Sequence, residues 1–159
     1  MKNYPISRAV TMLGIGIILG IFFYAGCQQP MTMGQPHREY LDNFVLVRVY
    51  DGDTFYVTFP TWDPIVGEEL GIRINGIDTP EMRTKSMREK YLAKQAKAYV
   101  EKRLTSGKYI ELHNVKRGKY FRLVADVIVD GNDLAKDLID FNLAVPYDGG
   151  TKTVDWSKR

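Results

Sequence analysis

Three segments far apart in the chain each end in side chains able to hold a hard cation against a phosphate. They are Asp51-Gly52-Asp53-Thr54, Arg73 followed by Asp78-Thr79-Pro80-Glu81, and Tyr120-Phe121-Arg122. Carboxylates supply oxygen ligands to a cation such as calcium, and guanidinium forks grip phosphate oxygens through paired charge-assisted hydrogen bonds. Side chains of these types suit metal-assisted hydrolysis of a phosphodiester.

Each segment also has a plainer reading when taken alone. Asp51-Gly52 supplies the positive φ angles of a tight hairpin turn. Ile77 to Glu81 reads as a strand end followed by a capped turn, with Pro80 setting φ and Asp78 or Thr79 bonding nearby amides. Arg122, among Leu123, Val124 and Ala125, reads as an outward strand residue. A calcium EF-hand is excluded, because the sixth residue from Asp51 is Tyr56 rather than glycine and the twelfth is Trp62 rather than glutamate. Any metal bound here must recruit ligands from more than one segment. His37 and His113 are too few for a histidine site, and His113 reads as an ordinary half-exposed strand residue.

The elements that must position these groups follow from patterning. Phe44 to Tyr50 and Thr54 to Phe59, rich in β-branched and aromatic residues, flank the Asp-Gly and predict a hairpin. Thr61 to Leu70, with Trp62, Asp63, Pro64 and Gly67, predicts a surface loop, and Gly71 to Ile77 a third strand that turns Ile72 and Ile74 inward. From Arg88 to Leu104 the period changes: Leu92, Ala96, Tyr99, Val100 and Leu104 form one helical stripe, ended by Ser106-Gly107. Tyr109 to Val115 and Tyr120 to Val129 predict two strands separated by Lys116-Arg117-Gly118. Asn132 or Asp133 then caps a short helix that buries Leu134, Ala135, Leu138 and Ile139. Three strands, a helix, two strands and a helix, without a βαβ rhythm, predict an antiparallel β-barrel with attached helices.

In this order and on this strand pattern, the D-G-D-T turn, the Arg73 that precedes I-D-T-P-E and the aromatic-arginine strand resemble the staphylococcal-nuclease-like (thermonuclease) family. The resemblance covers about residues 44 to 150. It implies a five-stranded OB-fold barrel with helices and a calcium-dependent nuclease that cuts DNA and RNA to 3′-phosphorylated products. Carried onto this chain, it implies calcium ligation by Asp53, Asp78 and the backbone carbonyl of Thr79, with Asp51 behind them. Arg73 and Arg122 match the family's catalytic arginines, and Glu81 the carboxylate that activates or positions water. Tyr120 and Tyr147 match tyrosines that contact the nucleotide, and Lys119 is grouped with them as a substrate contact. Phe121 departs from the family glycine of Y-G-R, and Gly118 stands where an aspartate is frequent. The alternative is a catalytically silent OB-fold module that binds nucleic acid without cutting it; a structural envelope lipoprotein is a third reading.

The 159 residues suit one domain of about 100 to 150 residues plus a targeting segment. Residues 1–27 begin with Lys2 and Arg8, are uncharged from Ala9 to Gly26, and end at Cys27, the only cysteine, so no intramolecular disulfide forms. Tyr24-Ala25-Gly26-Cys27 resembles the bacterial lipobox. A lipid-anchored protein, an uncleaved membrane anchor and a cleaved signal peptide all stay open, and each places the domain outside the cytoplasm. Residues 28–42 read as a flexible tether, 43–150 as the nuclease domain and 151–159 as a C-terminal tail. Both Lys2 and Arg8 lie in the first segment and no acidic residue does, so the rest carries about +1. A global basic field is absent, while Arg83 to Arg103 and Lys116 to Arg122 are locally basic. The implied partners are nucleic acid and, through the leader, a membrane; a monomer is expected, with no protein partner.

Overall fold

In the computed structural model, residues 40–152 and 154–159 are described, within one compact unit spanning Arg38–Arg159. The leader, Cys27, His37 and most of the expected tether lie outside the described residues. Among the described residues no helix is long and apolar enough to cross a membrane.

The elements run β1 Tyr40–Leu41, β2 Val45–Val49, β3 Thr54–Thr58, α1 Pro64–Gly67, β4 Leu70–Ile74, β5 Ile77–Asp78, α2 Met87–Ser106, β6 Ile110–Arg117, β7 Arg122–Val129, β8 Asn132–Asp133, α3 Leu134–Asp140 and β9 Val145–Pro146, then a 3-10 turn at Trp156–Lys158. The main sheet has the order β1-β6-β7-β4-β3-β2, with β8 on β7, and β5 pairs separately with β9. Among the described residues no pairing joins β1 to β2, so the ladder is an open path and not the closed five-stranded barrel expected. Four of the nine strands among the described residues are two-residue pairings, too short for a side-chain pattern to announce.

Pairing is antiparallel except between β4 and β7, where Ile72 lies beside Leu123 and Ile74 beside Ala125 in parallel register. The expectation of a wholly antiparallel sheet is therefore corrected. The chain leaves β4, crosses over through α2, and returns by the β6–β7 hairpin, so β7 comes to lie along β4 in the same direction; a parallel neighbour needs such a crossover. Burial alternates strictly along β7, turning Leu123, Ala125, Val127 and Val129 into the core against Phe55, Val57, Ile72 and Ile74. From α2, Ala93, Ala96, Val100 and Leu104 are buried. That stripe is the expected one shifted toward Ala93, with Leu92 only half-buried.

Two further expectations shift locally. Thr61 to Leu70 is not all loop: Asp63 accepts a hydrogen bond from Ile65 N at 2.9 Å and Pro64 opens the one-turn helix α1, because an Asp cap and a proline in the first turn both favour helix. Lys116-Arg117 belong to β6, and the β6–β7 turn is instead Gly118 to Phe121, with Gly118 N donating to Arg122 O at 2.8 Å. Asp133 rather than Asn132 caps α3, accepting from Ala135 N at 2.8 Å.

Candidate active site

The β2–β3 turn carries Asp51 and Asp53. Tyr50 N and Asp51 N both reach Thr54 O, at 2.9 and 3.2 Å, and Asp53 N donates to Asp51 Oδ1 at 3.2 Å. Gly52 serves this turn by its size and not by a positive φ. A Cβ there would stand 2.7 Å from Ala96 Cβ and 3.0 Å from Thr79 Cβ, so only glycine lets α2 and the Thr79 loop close on the turn.

Asp53 is 5% exposed. Its Oδ1 accepts from Thr54 Oγ1 at 2.8 Å and pairs with Arg73 of β4, and its Oδ2 accepts from Thr79 Oγ1 at 3.3 Å. Thr54 and Arg73 are direct partners across β3 and β4, which brings the two motifs together. Arg73 also donates to the Ile77 carbonyl at 3.0 Å. Burial, and then the Asp53 carboxylate beside it, push Asp51 up from its ordinary 3.8 to about 6.

Asp78 is buried on the short β5–β9 ladder, where Tyr147 N donating to Gly76 O at 2.8 Å ties the loop to the C-terminal segment. Gly76 turns with φ +77°, open to glycine without strain. Glu81 is exposed, and its backbone N–H is held by Glu89 Oε1 at 3.2 Å. Glu89 is the third residue after the α2 cap Ser86 and also accepts from Thr84 Oγ1 at 2.6 Å, so the first turn of α2 fixes the loop that carries Glu81.

Arg122 opens β7 opposite Gly71 of β4. A Cβ on Gly71 would meet Arg122 Cγ at 2.9 Å, so the bare glycine gives the arginine stem its berth. The Nε of Arg122 is buried and makes no hydrogen bond among the described residues, and its guanidinium lies 5.6 Å from the Tyr120 ring centre. Such an unmet donor is costly unless a ligand meets it. Tyr120 and Phe121 both take φ +56° in the turn and are exposed, so the expectation of strand for these two fails.

One open cleft of about 1440 Å³ collects Arg73, Glu81, Lys119, Tyr120, Arg122 and Tyr147. Asp53, Asp78 and Thr79 lie buried beside it rather than in its lining, and Thr79 links the loop of Asp78 to Asp53. Two residues that patterning did not single out complete the site. Lys152 places its Nζ 2.9 Å from Asp78 Oδ1 and 2.6 Å from Glu81 Oε1. Trp156, buried in the 3-10 turn, directs Nε1 to Asp78 Oδ2 at 3.5 Å. Burial disfavours the Lys152 charge, but the hydrogen bond to Glu81 and the Asp78 carboxylate beside it outweigh that and hold its pKa above the ordinary 10.5. Both residues fall in the stretch read as a tail, where no periodicity marks them.

A family model described as staphylococcal nuclease homologue matches residues 71–155, just over half of the chain. The chain belongs to the staphylococcal nuclease homologue family. The match takes in Arg73, Asp78, Thr79, Glu81, Arg122, Tyr147 and Lys152, and begins after the turn that carries Asp51 and Asp53. A comparison with curated proteins finds no match. As a staphylococcal nuclease homologue the chain has an OB-type framework, to which its sheet and three helices correspond. His113 stands apart from this site, half-exposed on β6, stacked on Tyr40 at 5.1 Å and bonded to Glu111 at 2.8 Å.

Proposed function

We propose that this family member is a calcium-dependent nuclease that hydrolyses phosphodiester bonds of DNA or RNA. The observation that carries the reading is the shared cleft: two guanidinium groups and Glu81 face one open space, with Asp53 and Asp78 buried at its wall.

The donor set fits a hard cation. Asp53 and Asp78 offer carboxylate oxygens, Thr79 a backbone carbonyl, and the Lys152 ammonium against Asp78 and Glu81 marks a place that favours positive charge. Among the described residues no three His, Cys, Asp or Glu side chains cluster closely enough to hold a metal by themselves. Calcium accepts six to eight oxygens, so water and the substrate phosphate complete such a shell. When bound, the ion supplies Lewis-acid stabilisation of a phosphate oxygen.

The chain's own groups do the rest. Glu81, exposed at the cleft, takes the proton of a water whose oxygen attacks phosphorus in line, while the bond to the 5′-oxygen breaks and that oxygen leaves with a proton from solvent. The five-coordinate state carries more negative charge than the diester, so Arg73 and Arg122 favour it over the ground state. Removing one preorganised donor of this kind typically costs about 3 kcal/mol. The buried, unmet Nε of Arg122 supports this role, since an incoming phosphate oxygen gives it an acceptor. Tyr120, Lys119 and Tyr147 on the cleft rim are the proposed nucleotide contacts. Contacts to phosphate carry no sequence information, so little base preference is expected. The uncharged stretch Ala9–Gly26 ending at Cys27 supports an enzyme working outside the cytoplasm, anchored or secreted.

The test is cleavage of labelled single-stranded DNA and RNA by the full chain, with calcium or with chelator, alongside Arg73→Ala and Arg122→Ala. Calcium-dependent cutting to 3′-phosphate ends that both variants lose supports the assignment. Equal cutting by all three proteins ends it.

A further inference from the structure

Lys152 is a cation of the site that belongs to neither arginine motif. Its ammonium sits between two carboxylates from one loop, 2.9 Å from Asp78 Oδ1 and 2.6 Å from Glu81 Oε1. A calcium ion bound by carboxylate oxygen lies about 2.3 to 2.6 Å from it. An ion at that distance from Asp78 and an ammonium on the same oxygen compete for the same lone pairs and repel each other as like charges.

Resting on the calcium nuclease reading above, we propose that Lys152 is the chain's own occupant of the cation position: its ammonium and the divalent ion exclude one another at the Asp78–Glu81 pair, and the ion's arrival frees Lys152 into the substrate cleft.

Three features support the exchange. The Lys152 side chain is 46% exposed, so rotation about its four-carbon stem carries the ammonium into water without uncovering any core. The turn leading to it is held without the lysine: Tyr147 N donates to Gly76 O at 2.8 Å, Tyr147 Oη to Gly150 O at 2.7 Å, and Gly150 N to Asp148 Oδ1 at 3.0 Å. Releasing the lysine therefore leaves the segment in place. Finally, Lys152 lines the same cleft as Arg73, Arg122 and Tyr147, so a released ammonium stands where a phosphate strand would run. One exchange thus accomplishes two things. In the metal-free protein it offsets part of the repulsion between two neighbouring carboxylates, and in the loaded protein it makes a further positive charge available to the substrate.

The signature is in metal affinity. Apparent affinity falls in proportion to the fraction of molecules whose site is open, so a lysine that holds the pair nine-tenths of the time weakens calcium binding about tenfold. Calorimetric titration of calcium into the full chain, without nucleic acid, is compared for wild type, Lys152→Met and Lys152→Gln, with Asp78→Ala as the control for site binding. Both lysine variants are expected to bind calcium roughly tenfold more tightly than wild type. Equal or weaker binding by both variants overturns the exchange while leaving a calcium nuclease intact, provided that DNA cleavage by the same wild-type preparation still requires calcium. Binding by none of the proteins overturns the exchange and the calcium assignment together, and cleavage that survives chelation then shows that only the metal was wrong.

Discussion

Arg73 of β4 and Asp53 of the β2–β3 turn form an ion pair, with the carboxylate almost wholly buried and the guanidinium partly so. The pair joins the turn motif to the strand motif. It also aims Arg73 so that its other terminal nitrogen, Nη2, reaches the Ile77 carbonyl at the loop leading to Asp78.

Arg73→Ala is expected to lower nuclease activity at least a hundredfold and also to destabilise the domain by about 2 to 3 kcal/mol, because Asp53 is left buried without its cation. Arg73→Lys restores the charge but not the fork, and should recover more stability than activity. Urea denaturation and cleavage rates on the same preparations check both. An Arg73→Ala protein as stable as wild type would mean that the pair contributes nothing to folding.

Gly52→Ala drives a methyl group into Ala96 and Thr79. The expected cost is about 1 to 3 kcal/mol. Adding Ala96→Gly removes the opposing methyl and should recover part of that loss, even though glycine inside α2 itself costs about 1 kcal/mol. A double-mutant cycle in chemical denaturation measures the coupling, and strictly additive effects would show that the two residues do not touch.

Phe121 takes a φ of +56°, a conformation glycine adopts freely and phenylalanine does not. Its ring offsets some of this strain by lying 4.1 Å from the Arg117 guanidinium. Phe121→Gly is expected to stabilise the protein by about 0.5 kcal/mol, whereas Phe121→Ala keeps the strained backbone, loses the ring contact and destabilises it by a similar amount. Thermal denaturation of the two variants separates them, and the same sign for both would refute the strain.

Asp155 caps the Trp156 turn, accepting from Ser157 Oγ at 2.6 Å and pairing with Lys158 at 3.0 Å. The hydrogen bond from Ser157, and next that from Lys158, hold its pKa below the ordinary 3.8. A carboxylate depressed in the folded state contributes its stability above the unfolded value and loses it as pH falls through the folded one. The Trp156 environment is therefore expected to hold down to about pH 4 and to loosen below it, with Asp155→Asn showing the loosened state at neutral pH. Tryptophan emission in a Trp62→Phe background reports this directly, and an Asp155→Asn spectrum identical to that of its parent at neutral pH would count against the cap.

The elements that frame the site were readable from side-chain order because their signals are local. Alternation along Arg122–Val129 and the 3.6-residue stripe within Met87–Ser106 each register a single buried face, and Asp133 carries the chemistry of a helix cap. The candidate site residues of the three motifs were legible by type, and Arg73, Glu81 and Arg122 do face one cleft. The turn at Tyr120–Phe121 was misread as strand because aromatic residues favour extended backbone, and only the register of β6 on β7 forces them into positive φ.

By itself, then, the order of residues determined which segments bury an apolar face and which side chains are available to meet a cation and a phosphate. Tertiary structure alone decided that β7 runs parallel to β4, that Gly52 and Gly71 matter for closeness rather than for φ, and that Lys152 and Trp156 come back to Asp78. The reason is range. Periodicity and capping act within a few residues, whereas a lysine more than seventy positions from its carboxylate meets it only because packing folds the intervening chain into a sheet and returns its end to the same loop.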